Sequence, residues 1–585
     1  MTDRNDPPAP DAMAASGRGR WIGLAMLSVG VAMIIVDATI VNVAVPSIIR
    51  DLNLDSTQAE WINTIYALVF AALLITVGRL GDVHGRRRSY LIGLTVFVMA
   101  SMLAGLAPNG TILIFARVLQ GIGGAMILPA TQAILNSNFQ GRDRAIAFGI
   151  WGSVIGGVAA VGPLLGGFLT TYLSWRWAFF INLPVGLIAI AGTLHYIGES
   201  KEEGARSGFD LPGFLLITSG LGLFVFGLIE GRQYGWWAPN PRHPFQIAGW
   251  TWPSETISVI PFILGIGIAA LILFAIVETR RRTAGKFYLF DFTLWRYRGF
   301  RFGNLAGTIV SLGEFGLLFA LPLFLQGVLG YSAFQTGLVF LSLAVGAFFA
   351  APGAATLARR YGPRWVVTTG MILEAVGILS TTLLISTTVN GFMLVIPLFI
   401  YGIGVGFATA QLTSIVLSDV PVERSGLASG ANSTLRQVGS ALGIAILGTV
   451  LFTVLVNGSA TAFQAIPPPP GVPPAVGSQI GEFVASALDA SAGQALRPLR
   501  DDPASVAELV DLPPEVTAFL QSPAAKGILE PYVTVAEQQF VDATRAAGFV
   551  ATGFVLLGVV FSLLLPNSKP RVFESPGPVP TAEPA

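Results

Sequence analysis

Hydrophobic residues in this chain run in blocks of twenty or more, and short polar stretches separate the blocks. An apolar run of about twenty residues, wound as a helix rising 1.5 Å per residue, matches the roughly 30 Å hydrocarbon core of a bilayer. In that medium the backbone must satisfy itself internally, so blocks of this length predict membrane-spanning helices. Windows of that length predict fourteen spans, near 22–46, 60–80, 90–107, 111–135, 145–171, 177–197, 211–230, 258–277, 302–326, 333–357, 365–386, 393–416, 426–456 and 546–565. An even number leaves both termini on one side. Eighteen Lys and Arg then fall in the short loops of that side and four, Arg50, Arg176, Arg232 and Arg242, in those of the other. The excess marks the cytoplasm, so both termini are expected there, in a multi-pass protein of the cell membrane.

The spans divide the chain into a tail (1–20), a six-span block (21–198), a two-span hairpin with its polar flanks (199–301), a second six-span block (302–565) and a tail at 566–585 expected to be disordered. Within the second block, 457–545 forms an outer insertion with a tetraproline at 467–470 and ten acidic against four basic residues. Its amphipathic pieces, Ile480–Leu488 and Ser505–Leu520, are either short helices over the mouth of the protein or parts of a disordered linker. Gly78-Arg-Leu-Gly-Asp-Val-His-Gly85 lines up with Ala355-Thr-Leu-Ala-Arg-Arg-Tyr-Gly362, with Arg359 where the first copy has Asp82. Related halves are how secondary transporters build two bundles that rock about a central site.

Composition agrees with the pattern. Of 585 residues 53% are hydrophobic and 11% charged, and mean hydropathy is +0.68, whereas about a quarter of a soluble chain is charged. The first apolar run is longer than a signal-peptide core and is expected to stay as an anchor. There are no cysteines, which excludes disulfides and thiolate chemistry. No G-x-x-x-x-G-K-[ST] loop occurs, and His84, His195 and His243 are not spaced as metal ligands. No enzyme activity, cofactor, metal or nucleic-acid partner is expected.

Three groups of residues carry candidate chemistry. The turn Gly78–Arg88 puts one carboxylate and a basic run between two spans; its glycines allow a tight turn, and Asp82 is placed to accept from backbone N–H groups at a helix N-terminus. Gly78, Asp82, Gly85, Arg86 and Arg87 read as a conformational latch. Ionisable residues inside spans form the second group: Asp37, about 21 Å along its helix, Arg117, Glu314, Glu374 and Arg436. Charge at that depth is costly unless paired, protonated or facing water. Asp37 either exchanges a proton or positions its helix through a hydrogen bond, and Arg117 is expected to pair with Asp37 or backbone carbonyls. Gln120 and Gly121 are expected to pack the fourth helix closely, and Arg436 either joins the chemistry or pairs with Glu374 for architecture. Glu314 and Glu374 are candidates for proton or cationic-substrate binding. Tyr66, Trp151 and Phe319 are candidate aromatic lining.

The motifs taken together resemble the major facilitator superfamily, and within it the fourteen-helix drug:proton antiporters of the multidrug efflux type. They are Gly78–Arg88, Val36-Asp-Ala-Thr-Ile-Val-Asn-Val-Ala-Val-Pro46, Trp61-Ile-Asn-Thr-Ile-Tyr66, Arg117-Val-Leu-Gln-Gly-Ile-Gly-Gly124, Gly162-Pro-Leu-Leu-Gly-Gly167, Trp175-Arg-Trp-Ala-Phe-Phe-Ile-Asn-Leu-Pro184 and Leu435-Arg-Gln-Val-Gly439. The resemblance implies an all-helical membrane fold of two six-helix bundles plus an inserted hairpin. It implies a proton-coupling role for the fourth-helix Arg117, which the buried acids Asp37 and Glu314 are expected to share because of their depth in the spans, and an antiporter motif at Gly162, Pro163, Gly166 and Gly167. The upstream glycine usual in that motif is here Val158, with Gly157 one place earlier. The expected activity is proton-driven export of lipophilic or cationic small molecules by a monomer surrounded by membrane lipid. Export of lipids or cell-envelope precursors is the alternative, and an uncoupled receptor or scaffold the reading from another class.

Overall fold

The computed structural model describes residues 17–139, 141–201, 210–241, 243–247, 249–421, 425–467, 474–508 and 514–566. It is nearly all helix: α1 (Gly17–Leu52), α2 (Ser56–His84), α3 (Arg86–Gly105), α4 (Gly110–Asn138), α5 (Gly141–Tyr172), α6 (Trp177–Phe180), α7 (Asn182–Tyr196), α8 (Leu211–Tyr234) and α9 (Ile260–Thr283), then α10 (Arg298–Gly327), α11 (Ala333–Tyr361), α12 (Pro363–Leu384), α13 (Val395–Ser418), α14 (Ser425–Phe463), α15 (Pro474–Ala490), α16 (Leu496–Asp501), α17 (Pro514–Leu520) and α18 (Ala525–Leu563). Between α8 and α9, Gln246–Ile247 and Trp250–Thr251 pair as a small antiparallel ribbon. Among the described residues twelve helices are long and apolar enough to cross a membrane. Helices α2 and α5, of 29 and 32 residues, pack beside them in the first bundle.

Local chemistry sets the helix ends, and it does so twice. Asp55 and Gln58 form a reciprocal capping box at the start of α2, and Ser332 and Gln335 form one at the start of α11. Each helix then ends on a glycine with positive φ, Gly85 at 126° and Gly362 at 92°, where a side chain would be strained. The next helix starts at the following residue. An offset of 277 residues carries both features from the first half to the second, and it also carries Asp37 onto Glu314.

One end of the bundles, the insertion face, carries Asp55, the loop after α8, and α15 to α17; the opposite end, the turn face, carries Gly85 and Gly362. Close contacts join the bundles toward the insertion face. Backbone of Ala333 and Phe334 lies against Gly167, the Phe334 N–H donates to Thr171 Oγ1 at 2.9 Å, and Gln326 Nε2 donates to the Val43 carbonyl at 2.9 Å. Helix α8 lies along the other seam, where Leu221, Val225 and Ile229 meet Ala67 and Leu68 of α2 and Ala441 and Ala445 of α14. Helix α9 packs on α8 and leaves Ile266, Ile268, Ile272 and Leu273 exposed, as a lipid-facing helix does.

The insertion departs from its expected limits. Helix α14 runs on to Phe463, and α18 begins at Ala525, some twenty residues before the apolar pattern does. The extra turns are held by packing instead of lipid: Tyr532, Val533 and Phe540 are buried with Val484, Leu488, Leu496, Leu499 and Val506, and Arg500 pairs with Glu537 at 2.5 Å. Of the two readings of this segment, short helices hold for the described residues. The tetraproline beyond residue 467 and both tails, 1–16 and 567–585, lie outside the described residues.

Candidate functional site: a buried charge network and its counterpart

Asp37 lies in the middle of α1, wholly buried, and its carboxylate is held from two other helices, α4 and α7. Arg117 Nη1 of α4 donates to Oδ2 at 2.5 Å, while Gln120 Nε2 of α4 and Asn182 Nδ2 of α7 each donate to Oδ1 at 2.9 Å. Both amides also reach Ser101 Oγ of α3, at 2.8 and 3.1 Å, and that hydroxyl donates to the Phe97 carbonyl. Arg117, 1% exposed, uses Nε on the Ile62 carbonyl at 3.0 Å and Nη1 also on Gln120 Oε1 at 2.8 Å. Its guanidinium carbon stands 4.3 Å from the centre of the Tyr66 ring, a cation–π seat that tolerates burial better than hydrocarbon does. The expected pairing of Arg117 with Asp37 and with a carbonyl is thus present in both forms. Gln120, expected to serve helix packing or charge pairing, links Asp37, Arg117 and Ser101 through hydrogen bonds.

The second bundle places Glu314 of α10, Glu374 of α12, Tyr401 of α13 and Arg436 of α14 within electrostatic reach of one another. This cluster is built differently. Glu374 is wholly buried and neither carboxyl oxygen has a hydrogen-bond partner, and the buried Tyr401 hydroxyl has none either. Glu374 makes no hydrogen bond to Arg436, the partner expected for it on architectural grounds, although that guanidinium acts on it electrostatically. Gly404 lets α13 approach the Glu374 backbone, so the acid is pinned where two helices touch. Glu314 and Arg436 are half-buried.

The remaining candidates are distributed around these clusters. Phe319 does not line a cavity: it is 1% exposed and meets Phe452 edge-on in the largest core. Trp151 is half-buried against the first-bundle core. Gly162 and Gly166 bring α5 against Thr39 and Ile40 of α1, two and three residues beyond Asp37, and Gly167 meets the start of α11. Gly121 lets α4 approach the Tyr66 carbonyl and Val69 of α2.

At the turn, Gly78 faces Pro129 of α4, and the Arg86 N–H donates to the Ser200 carbonyl at 3.0 Å. The carboxylate seated on the N-terminus of α3 belongs to Glu199, which accepts from the Arg87 and Arg88 N–H groups at 3.0 and 3.2 Å. Arg87 Nη2 also reaches the Leu194 carbonyl at 2.8 Å. The sequence pattern assigns such a seat to Asp82, whose side chain, like residues 422–424 before α14, lies outside the described residues. An apolar cleft of about 500 Å³, lined by Leu169, Leu173, Trp177, Phe180 and Leu183, opens at the corner of α5 to α7 with no charged residue in its wall.

Two helical bundles with an interlocked charge network in the membrane interior define a multi-pass membrane transporter. Residues 27–444 match the family model of the Major Facilitator Superfamily, and the chain belongs to that family. It is 35% identical over 435 residues to the puromycin resistance protein pur8 of Streptomyces alboniger, covering 74% of this chain and 82% of the relative. It is 33% identical to the multidrug resistance protein Stp of Mycobacterium tuberculosis (74% and 76%) and 28% identical to the multidrug transporter protein MdtP of Bacillus subtilis (91% and 90%). The fold matches a bacterial homolog of the human lysosomal transporter Spinster, solved inward-facing and unoccupied, with a TM-score of 0.55, 16% identity and coverage of 94% and 98%. The protein is a transporter of small molecules and not an enzyme.

Proposed function

We propose that this protein exports lipophilic or cationic small molecules across the cell membrane in exchange for protons, as a monomer of fourteen spans with both termini in the cytoplasm. The observation that carries the reading is the state of Asp37: a fully buried carboxylate whose partners are one guanidinium and two amides. A proton arriving at Asp37 replaces the charge-assisted bond to Arg117 with a weaker one and leaves a buried cation to find new partners. That change is local, yet it acts where α1, α4 and α7 meet and beside the close α1–α5 packing at Gly162 and Gly166. Glu314, its counterpart in the repeat, and Glu374 then serve as acids of the second bundle that attract a cation or a second proton.

The export direction draws support from relatives named for antibiotic resistance and drug transport. Positive-inside counting places the turn face in the cytoplasm, so the close contacts at the insertion face shut the outer side. In this reading the Gly78, Asp82, Gly85, Arg86 and Arg87 turn secures the cytoplasmic side in the other half of the cycle. Purified protein in liposomes with an imposed pH gradient tests the proposal, with puromycin and the lipophilic cation ethidium as probes. Probe movement against its gradient, matched by proton flux in the opposite direction, is expected. Probe movement that ignores the pH gradient would refute proton exchange.

A further inference from the structure

Several buried acids outside these clusters play no part in the cycle just described, and one of them faces the seam between the bundles. Glu60, the fifth residue of α2, is wholly buried, and neither of its carboxyl oxygens has a hydrogen-bond partner. It lies across the seam between the bundles: a Cβ built on Gly448 of α14 would stand 2.8 Å from Glu60 Cδ and 3.0 Å from Oε2. The 277-residue repeat carries Glu60 onto Gly337, which meets the Pro163 backbone across the opposite seam. The seams are therefore closed at equivalent points, one by bare backbone and one by a carboxyl group resting on a glycine.

The groups facing Glu60 are Asp55 from the α2 cap, Glu230 and Arg232 from α8, and Asp489 from α15. Arg232 is engaged elsewhere: Nη1 donates to Asp489 Oδ1 at 2.5 Å and Nη2 to Ser56 Oγ, whose hydroxyl donates to Asp489 at 2.8 Å. Glu230 accepts from the Trp61 indole at 2.9 Å. Helix α14 presents Gly448, and the charged groups of α1 and α4 nearest the membrane centre, Asp37 and Arg117, are paired with each other. Four acids thus share one guanidinium, and the most buried of them has no hydrogen bond.

An unpartnered buried carboxylate is among the costliest groups a protein can hold, whereas the neutral acid tolerates such a seat. The carboxyl rests on the α14 backbone, which leaves no room between them for an organic cation. A proton needs none. We propose that Glu60 is a proton-binding residue at the insertion-face end of the α2–α14 seam, and that its protonation holds this seam closed. Loss of the proton places a charge among Asp55, Glu230 and Asp489 and drives α2 away from α14. This goes beyond the exchange cycle, and its test reads no transport, so it stands or falls apart from the role of Asp37.

Because the chain lacks cysteine, Thr111→Cys and Thr461→Cys supply a unique pair of spin-label sites, exposed near the insertion face on α4 and α14. In full-length protein in lipid nanodiscs the interlabel distance is expected to lengthen as pH rises, while E60Q, neutral and nearly the same shape, keeps the short distance throughout. An E60Q curve that follows the unmodified protein would overturn the proposal. Infrared difference spectra give an independent reading: a carboxylic-acid C=O band present at low pH and missing from E60Q is expected, and no difference between the two proteins there would also overturn it. G448A displaces the carboxyl without removing it and is expected to open at lower pH; an unchanged opening curve counts against the seat.

Discussion

Asp37→Asn removes a charge from the carboxylate with the fullest set of partners in the membrane interior and leaves the shape nearly intact. The three donors on Asp37 come from Arg117, Gln120 and Asn182. An asparagine offers them one oxygen and an NH₂ group, so wherever the amide points, at least one donor meets another donor. Turning Gln120 over to compensate would withdraw the oxygen that already accepts from Arg117. The greater cost falls on Arg117 itself, 1% exposed and left without its anion. Breaking a buried pair by removing one partner costs about 3–5 kcal/mol. Chemical denaturation in detergent, followed by tryptophan fluorescence, is expected to show a loss of that size, and pH-driven accumulation in vesicles should fall to background. Adding Arg117→Gln removes the orphaned cation, so the double variant should regain part of the stability, a coupling of roughly 0.5–3 kcal/mol, without regaining transport. A single variant within about 1 kcal/mol of the parent would refute the dependence of Arg117 on Asp37, and one that still accumulates substrate would move proton coupling to other residues.

Three further outcomes follow from the packing and the caps. Gly166→Ala puts a methyl group 2.9 Å from Ile40 Cα, forcing α5 off α1 beside Asp37; a loss of about 1–3 kcal/mol is expected, with slower transport at unchanged expression. Glu199→Gln removes the negative charge seated on the N-terminus of α3 and should cost about 0.3–1 kcal/mol, an effect that shrinks in high salt; a salt-independent change would show that packing is responsible. Burial pushes the Asp55 carboxyl up, with the negative charge of Asp489 adding to it and the Gln58 N–H offsetting it in part. A carboxyl raised in the folded state contributes stability that is fully present below the usual carboxylate range near pH 4 and is lost as pH rises through the folded value. Asp55→Asn keeps an effective helix cap and should remove that part of the decline in melting temperature, whereas an identical pH profile would show that Asp55 does not titrate there.

The sequence exposed some of the site because the membrane makes certain residues conspicuous. Asp37, Arg117, Glu314 and Glu374 stand out as ionisable groups in apolar runs, and no packing knowledge is needed to notice them. Ser101 left no such mark, since a serine on an apolar helix is ordinary and only the approach of α3, α4 and α7 makes it an acceptor. Asn182 stood inside a motif without an assigned task. Glu60, Glu230 and Arg232 were legible in principle, as acids and a base at the ends of apolar runs, but an end position reads equally well as the polar rim of a membrane helix. Phe319 was misplaced for the opposite reason: periodicity around an apolar helix does not tell a core-facing ring from one that faces a cavity.

What the sequence determined by itself is the membrane class, most of the spans and the repeat, because hydropathy over twenty residues, glycine turns and capping boxes are local properties of the chain. Tertiary structure decided which charges meet. Asp37 and Arg117 are 80 residues apart, Glu199 seats on the start of α3 from 112 residues away, and helices α14 and α18 outrun their apolar pattern because the insertion packs over them. Each of these outcomes depends on the distance between atoms on different helices, and charge pairing and burial are functions of that distance and not of order along the chain.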